Sequence, residues 1–524
     1  MCYFWYTIHR GSQSYRLNTL YIVCFVNQRL ETFFHTLIIP LRKTPLPLSF
    51  VFLHTLFLGC STENSSDQTP TFPQSNATSL SAAHHLLGKA SFDWSGHAVV
   101  GNGDVDADGL ADFLIGAPGN DEGETAAGQI YLILGKTLNE EEISLQENII
   151  FTGERYSAGS SLGFLPDLDN DSMDEIVIGE PLNKRVYIFK SQSIMTSSLQ
   201  DADCIIEGAE AGDYMGWSIA SAGDVDGDNK GDLIIGADGR DHILDTTGTA
   251  YLLRGRDLDE SGLIYINEIS TSLMGTSQGE KAGVSVASAG DVDGDGLDDL
   301  LIGAKGNQEM GPEVGAAYLV LAQDINFYDP TELPQIGYQF LGENPLDEAG
   351  SAVAGVGDIN ADGRDDFLIG APSSVYNHQG MGTVYGIFGE AMSSQQYLLS
   401  NAPIVIEGLF PQDHTGHAVS AAGDIDQDGF MDISISSPSL YFHNHGGAVY
   451  VIKGSQIHQG GSFSVQDADF VFKGENGGDM LGFSLGFAGD VYGNGSQALL
   501  IGAPAYDGSG EDRGQSYLIT NFSD

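Results

Sequence analysis

Asp104, Asp106, Asp108 and Asp112 stand at positions 1, 3, 5 and 9 of the stretch "DVDADGLAD". Carboxylates this close repel one another and raise each other's proton affinity, so the spacing calls for a cation among them. Alternate residues of a tight loop point inward, which converges the four side chains on one point. Gly109 at position 6 permits the sharp bend, and the carbonyl of Leu110 at position 7 offers a further oxygen. Hard oxygen ligands in a flexible loop suit Ca2+ better than Mg2+, which demands stricter octahedral geometry and keeps its water.

The same constellation recurs. Asp224, Asp226, Asp228 and Asp232 form a second full set with Lys230 at position 7. Asp291, Asp293, Asp295 and Asp299, with Leu297, form a third, and Asp424, Asp426, Asp428 and Asp432, with Phe430, a fourth. Asp358, Asn360, Asp362 and Asp366, with Arg364, carry one neutral amide. Asp167, Asp169, Asp171 and Glu175 are a weaker copy in which Ser172 replaces the glycine. The loop from Asp490 has Tyr492, Asn494 and Ala498 where ligands belong, so no metal is expected there. The expectation is five Ca2+ sites with a sixth at 167–175, of affinity about 10⁻⁴ to 10⁻³ M as in extracellular modules, and structural in role. An EF-hand would share this start but needs a bidentate Glu at position 12. That position is Ile115, Ile178, Ile235, Ile302, Ile369, Ile435 and Ile501, which excludes it.

The elements that must hold these loops keep the same step. The leading aspartates, 104, 167, 224, 291, 358, 424 and 490, are 57 to 67 residues apart, a period that signals a solenoid or a propeller. Eight residues before each lies a glycine (Gly96, Gly159, Gly216, Gly283, Gly350, Gly416, Gly482). Downstream comes a short apolar run with a tyrosine, at Tyr131, Tyr187, Tyr251, Tyr318, Tyr385, Tyr450 and Tyr517. Short strands between glycine turns, with little helical periodicity, predict an all-β protein of seven radial four-stranded sheets, a seven-bladed β-propeller. The last repeat ends at "GQSYLIT" without an outer strand, and "AAHHLLGK" at 82–89 is expected to supply it and close the ring.

The chain of 524 residues carries 72 acidic against 21 basic side chains, a net charge of −51. Such a surface disfavours nucleic acid and anionic membranes, which are recognised by Lys and Arg. Of the cysteines, Cys2, Cys24 and Cys60 fall in the first sixty residues, so Cys204 has no partner for a disulfide in the repeat region.

Residues 42–60, "RKTPLPLSFVFLHTLFLGC", place two basic residues before an apolar stretch too short to span a membrane. The ending resembles a bacterial lipobox, with Cys60 as the residue to be lipidated. A Ser-, Asn- and Thr-rich tether follows. The expected organisation is a disordered or cleaved leader over 1–59, with the true start near 41, a tether over 60–82, and the propeller over 83–524.

The phased glycine, the DxDxDGxxD loop and the following "IGAP" resemble the FG-GAP repeat of the integrin α-subunit N-terminal propeller, over about residues 83–524. The resemblance implies seven blades with Ca2+ between the first two strands of certain blades, on the face opposite the usual ligand surface. There are departures. Ser95, Ala158, Met215, Ala282, Ala349, Thr415 and Leu481 stand where the motif has phenylalanine. Neither the leg domains nor the membrane-spanning helix of an integrin receptor is recognised after the repeats, so adhesion is not carried over directly.

Catalysis finds little support. His97 and His417 share the repeat motif "GHAV", which reads as inner-strand packing, and no acid, base and nucleophile set assembles around them. The expectation is an exported, non-enzymatic binding or adhesion module for protein or glycan. It would sit on the outer membrane or cell surface through its lipid anchor, or otherwise be secreted. Two other readings stay open: an assembly platform of an envelope complex, and a hydrolase or lyase using the axial channel.

Overall fold

The computed structural model describes residues 2–11, 14–24, 35–38, 77–78, 80, 83–121, 127–138, 142–145, 148–153, 157–190, 197–208, 214–239, 247–258, 261–373, 380–390, 394–410, 412–438, 446–507 and 512–522. The chain divides into two units, Met1–Gln68 and Thr69–Asp524. The first holds an antiparallel sheet of Cys2–Gly11, Ser14–Cys24 and His35–Ile38. The leader's apolar stretch at 42–59 and Cys60 lie outside the described residues.

The second unit is a ring of seven blades. Blade 1 runs outward through Ala98–Gly103, Asp112–Ala117, Gln129–Ile133 and Ile149–Thr152, each antiparallel to the last. The innermost strands of blades 2 to 7 begin at Ser161, Ser218, Ala282, Ala352, Val419 and Ser484. Each packs on the next, and Ser484–Gly489 returns to Ala98–Gly103. The second strand of every blade is buried along its whole length, because neighbouring blades cover both of its faces. Strands covered on both faces read as continuous apolar runs rather than alternating ones.

Register fixes the meaning of two sequence features at once. Ile115 pairs across the sheet with Tyr131, and the six other position-12 isoleucines pair with the six other tyrosines. The second glycine signal, in "IGA", answers a steric demand between blades. A Cβ on Gly116 would meet the Gly159 carbonyl oxygen at 2.2 Å, and one on Gly236 the Gly283 oxygen at 2.0 Å. Ser95, Ala282, Ala349, Thr415 and Leu481 are fully buried and bridge to the glycine that opens a third strand, as Ala282 does to Gly248.

The blades have five strands where four were expected. The fifth is short and parallel, and comes from the connection between the third and fourth strands of the following repeat. Blade 1 receives Ser197–Ser198, blade 2 Gly262–Tyr265 and blade 5 Gly461–Ser464. Closure uses the segment before the first repeat twice. His84–Leu87 pairs antiparallel with Gln515–Ile519 as the fourth strand of blade 7. Ala77–Thr78, inside the stretch read as tether, pairs with Val471–Phe472 as the fifth strand of blade 6. Blade 7 then takes Glu142–Ser144 from blade 1. Cys204 is buried and free. Among the described residues no helix is long and apolar enough to cross a membrane.

Candidate functional site

Each acidic loop joins the first and second strands of its blade, on one face of the ring. In blade 1 the Asp104 carboxylate accepts from the backbone N–H of Asp108 (3.1 Å) and of Gly109 (3.1 Å). Asp108 accepts from Leu110 N–H at 3.0 Å. The same bonds recur in blades 3, 4, 5 and 6, from Asp224, Asp291, Asp358 and Asp424. Bending the chain this tightly puts positions 4 and 6 in the left-handed region: Ala107 at φ 54° with Gly109 at 79°, Asn170 at 63° with Ser172 at 69°. Asn229 fills position 6 in blade 3, at φ 63°. Asn tolerates that region better than other residues with a Cβ, so the glycine is replaceable there.

The turns bring the carboxylates together. Ligand oxygens of Asp104, Asp106 and Asp108 lie within 4.8 Å of one another. So do those of Asp167, Asp169 and Asp171, and of Asp291, Asp293 and Asp295. In blades 3 and 6 the groups are Asp224, Asp226 and Asp232, and Asp424, Asp426 and Asp432. Blade 5 keeps the loop, with Asn360 between Asp358 and Asp362. Oδ1 of Asp106, of Asp169 and of Asp226 is shielded from solvent and accepts no hydrogen bond. A buried acceptor in that state costs on the order of 1–3 kcal/mol unless another partner meets it, and more when charged. The donor set fits a hard cation.

Position 9 does a second job. Asp112 is fully buried and accepts from Val105 N–H and from Gly135 N–H, both at 2.9 Å, tying the loop to the exit of the third strand. Asp232, Asp299, Asp366 and Asp432 repeat both bonds. Burial pushes all five carboxyls, and that of Glu175, up to about 7, with the loop's other carboxylates adding to the shift. The charge on each is therefore costly until a cation offsets it.

Blade 7 shows the loop without its acids. Asp490 still accepts from Asn494 N–H (3.1 Å) and Gly495 N–H, while the Tyr492 hydroxyl meets the His84 Nε2 of the closing strand. Ala498 is simply buried.

Two sets of acids escaped the sequence reading. Asp174, Asp298 and Asp365, at position 8, reach back to the preceding loop and accept from the N–H of Asp104, Asp224 and Asp291 at 2.9, 2.7 and 2.9 Å. They lock one blade's loop to the next, and the doubled acids "DDL" and "DDF" were their visible sign. Asp93, Glu280, Asp347, Asp413 and Asp479, three residues before a phased glycine, are buried on the opposite side of the blades. Glu280 accepts from the Tyr318 hydroxyl at 2.5 Å and Asp93 from Ala90 N–H at 2.7 Å, so these acids fasten the other set of loops.

His97 and His417 lie just before the inner strands of blades 1 and 6 rather than in them, their rings 5.0 and 5.1 Å from that of Phe483. Burial holds both imidazoles down at about 4.

The FG-GAP repeat model matches residues 98–133, 215–253, 282–320, 349–385 and 415–452, which are blades 1, 3, 4, 5 and 6. The chain carries FG-GAP repeats. The unmatched blades are 2, whose loop has Ser172 at position 6 and Glu175 at position 9, and 7, whose loop lacks most of its acids. The chain is 31% identical to integrin alpha pat-2 of Caenorhabditis elegans over 232 residues, 41% of this chain and 17% of that protein. It is 30% identical to integrin alpha-5 of Xenopus laevis over 257 residues, 46% of this chain and 21% of that protein. It is 33% identical to phosphatidylinositol-glycan-specific phospholipase D of Rattus norvegicus over 235 residues, 42% of this chain and 26% of that protein. The FG-GAP chain thus spans about a quarter or less of the length of these relatives.

Proposed function

We propose that this FG-GAP propeller is a calcium-stapled, non-enzymatic binding module for an extracellular or envelope protein or glycan, exported and held at the cell surface through a lipid on Cys60. Two observations carry the calcium reading: three carboxylates of one loop gather within 4.8 Å in five blades, and Asp106, Asp169 and Asp226 in three of them keep a shielded oxygen without a hydrogen bond. Ca2+ would be held by positions 1, 3, 5 and 9 and the position-7 carbonyl, and when bound it supplies positive charge and no reaction. The protein's own part is to hold the turn by backbone bonds before the ion arrives. Binding of a partner falls to the loops of the opposite face, since propeller loops vary freely on one scaffold.

Two experiments test this reading. A screen of matrix proteins and glycans against the purified chain, with calcium and with chelator, is expected to give calcium-dependent capture. Capture of neither class overturns the binding module. Metabolic labelling with a fatty-acid probe is expected to mark the wild type and not Cys60→Ser. Equal labelling refutes the anchor.

A further inference from the structure

We infer that basic side chains at the third-strand exits act as tethered counter-ions that lower the calcium affinity of the loops in blades 1, 3 and 6. The inference rests on the calcium reading above. Lys136 Nζ meets the Asp106 carboxylate and lies 3.9 Å from Asp108. An Arg256 nitrogen lies 2.7 Å from Asp226, and another 3.5 Å from Asp228. Lys453 Nζ lies 3.1 Å from Asp426. In each case the cation faces the position-3 carboxylate, and in two cases the position-5 one as well.

Delivery is built into the fold. Gly135, Gly255 and Gly454 donate the N–H that ties position 9 to the third-strand exit, and the basic residue is the immediate chain neighbour of each. The bond that closes the loop therefore also aims the side chain at it. Blade 4 has the same backbone tie through Ala322, but its neighbour is Gln323, whose Nε2 donates to Asp293 at 2.6 Å without charge. Only 21 basic residues face 72 acidic ones in the whole sequence, yet four stand at third-strand exits beside a position-3 carboxylate, the fourth being Lys190 of blade 2 at 3.9 Å from Asp169.

A unit charge beside a divalent ion opposes its entry, and the side chain must swing into water as the ion arrives. Lys136 and Arg256 are about half exposed and free to do so. Without calcium the same cation offsets part of the repulsion among the carboxylates. The charge that weakens the filled loop therefore steadies the empty one. Arg364 approaches the blade 4 loop from blade 5, with its guanidinium carbon 3.7 Å from where a Cβ on Gly294 would sit. The comparison is therefore made by substitution within each loop.

The test uses the full chain with Lys136→Gln, Arg256→Gln and Lys453→Gln made singly, in low salt. Calorimetric titration with CaCl2 is expected to show one class of site tightened by about five- to tenfold in each variant. Thermal unfolding is expected to fall in chelator and to hold or rise in saturating calcium. Lys136→Arg and Lys453→Arg, which keep the charge, are expected to bind as wild type does. A variant that loses the same Tm with and without calcium, and binds calcium with wild-type affinity, overturns the inference while leaving the calcium reading intact. A wild-type protein that takes up no calcium overturns both.

Discussion

At the scale of single residues, Asp106, Asp169 and Asp226 share one predicament, a carboxylate oxygen hidden from water with no hydrogen atom to accept. A metal answers it, and a neutral amide answers it less well. Asp226→Asn is therefore expected to weaken one calcium site tenfold or more and to cost about 1–2 kcal/mol of stability in calcium. Chelated, the same variant should be no less stable than wild type, because it removes repulsion. Paired melting curves check this. His97 and His417 give a pH prediction whose sign follows from burial. Unfolded imidazoles take up protons near 6.5, whereas these two resist until about 4. Their contribution is complete above 6.5 and drains away as pH falls from 6.5 toward 4, by up to about 3 kcal/mol each. Phe483 occupies the equivalent place in the last repeat, so His417→Phe should fit and flatten the acid limb of stability against pH. An unchanged acid limb would contradict the assignment.

At the scale of the blade, most of what mattered was written in the sequence at fixed offsets. The acidic loop, the left-handed glycine and the Ile–Tyr pair recur with the period, and each marks a place where geometry leaves little choice of residue. The fifth strands were illegible because they are two to four residues long and bury little, as with Thr331–Glu332. They exist because a neighbouring repeat offers an edge, not because their own residues favour a strand. Asp298 and Asp365 stand in plain view but carry no local signal of their role, since their partner lies in another repeat. Asp298→Ala should leave the Asp224 N–H without its partner and cost about 1.5–3 kcal/mol, measurable by urea unfolding. A loss below 0.5 kcal/mol, the range of ordinary surface changes, would mean that the blades do not interlock there.

At the scale of the whole molecule, one segment before the first repeat closes two blades, and six acidic loops crowd one face of the ring in a chain of net charge −51. Leu86 is fully buried in the strand that completes blade 7, so Leu86→Ala should cost about 2–5 kcal/mol and lower the Tm of the whole ring rather than of one blade. A second, separate melting transition would show that closure is local. The calcium account makes the larger demand. At ten times its dissociation constant, calcium adds about 1.4 kcal/mol per loop, so five filled loops add about 7 kcal/mol. Calorimetric titration of the chelated full chain, joined to its thermal unfolding, measures this directly. The expected result is five or six Ca2+ per chain, affinities of about 10⁻⁴ to 10⁻³ M, and a Tm that rises with calcium and returns with chelator. No uptake, and a Tm indifferent to chelator, would contradict it.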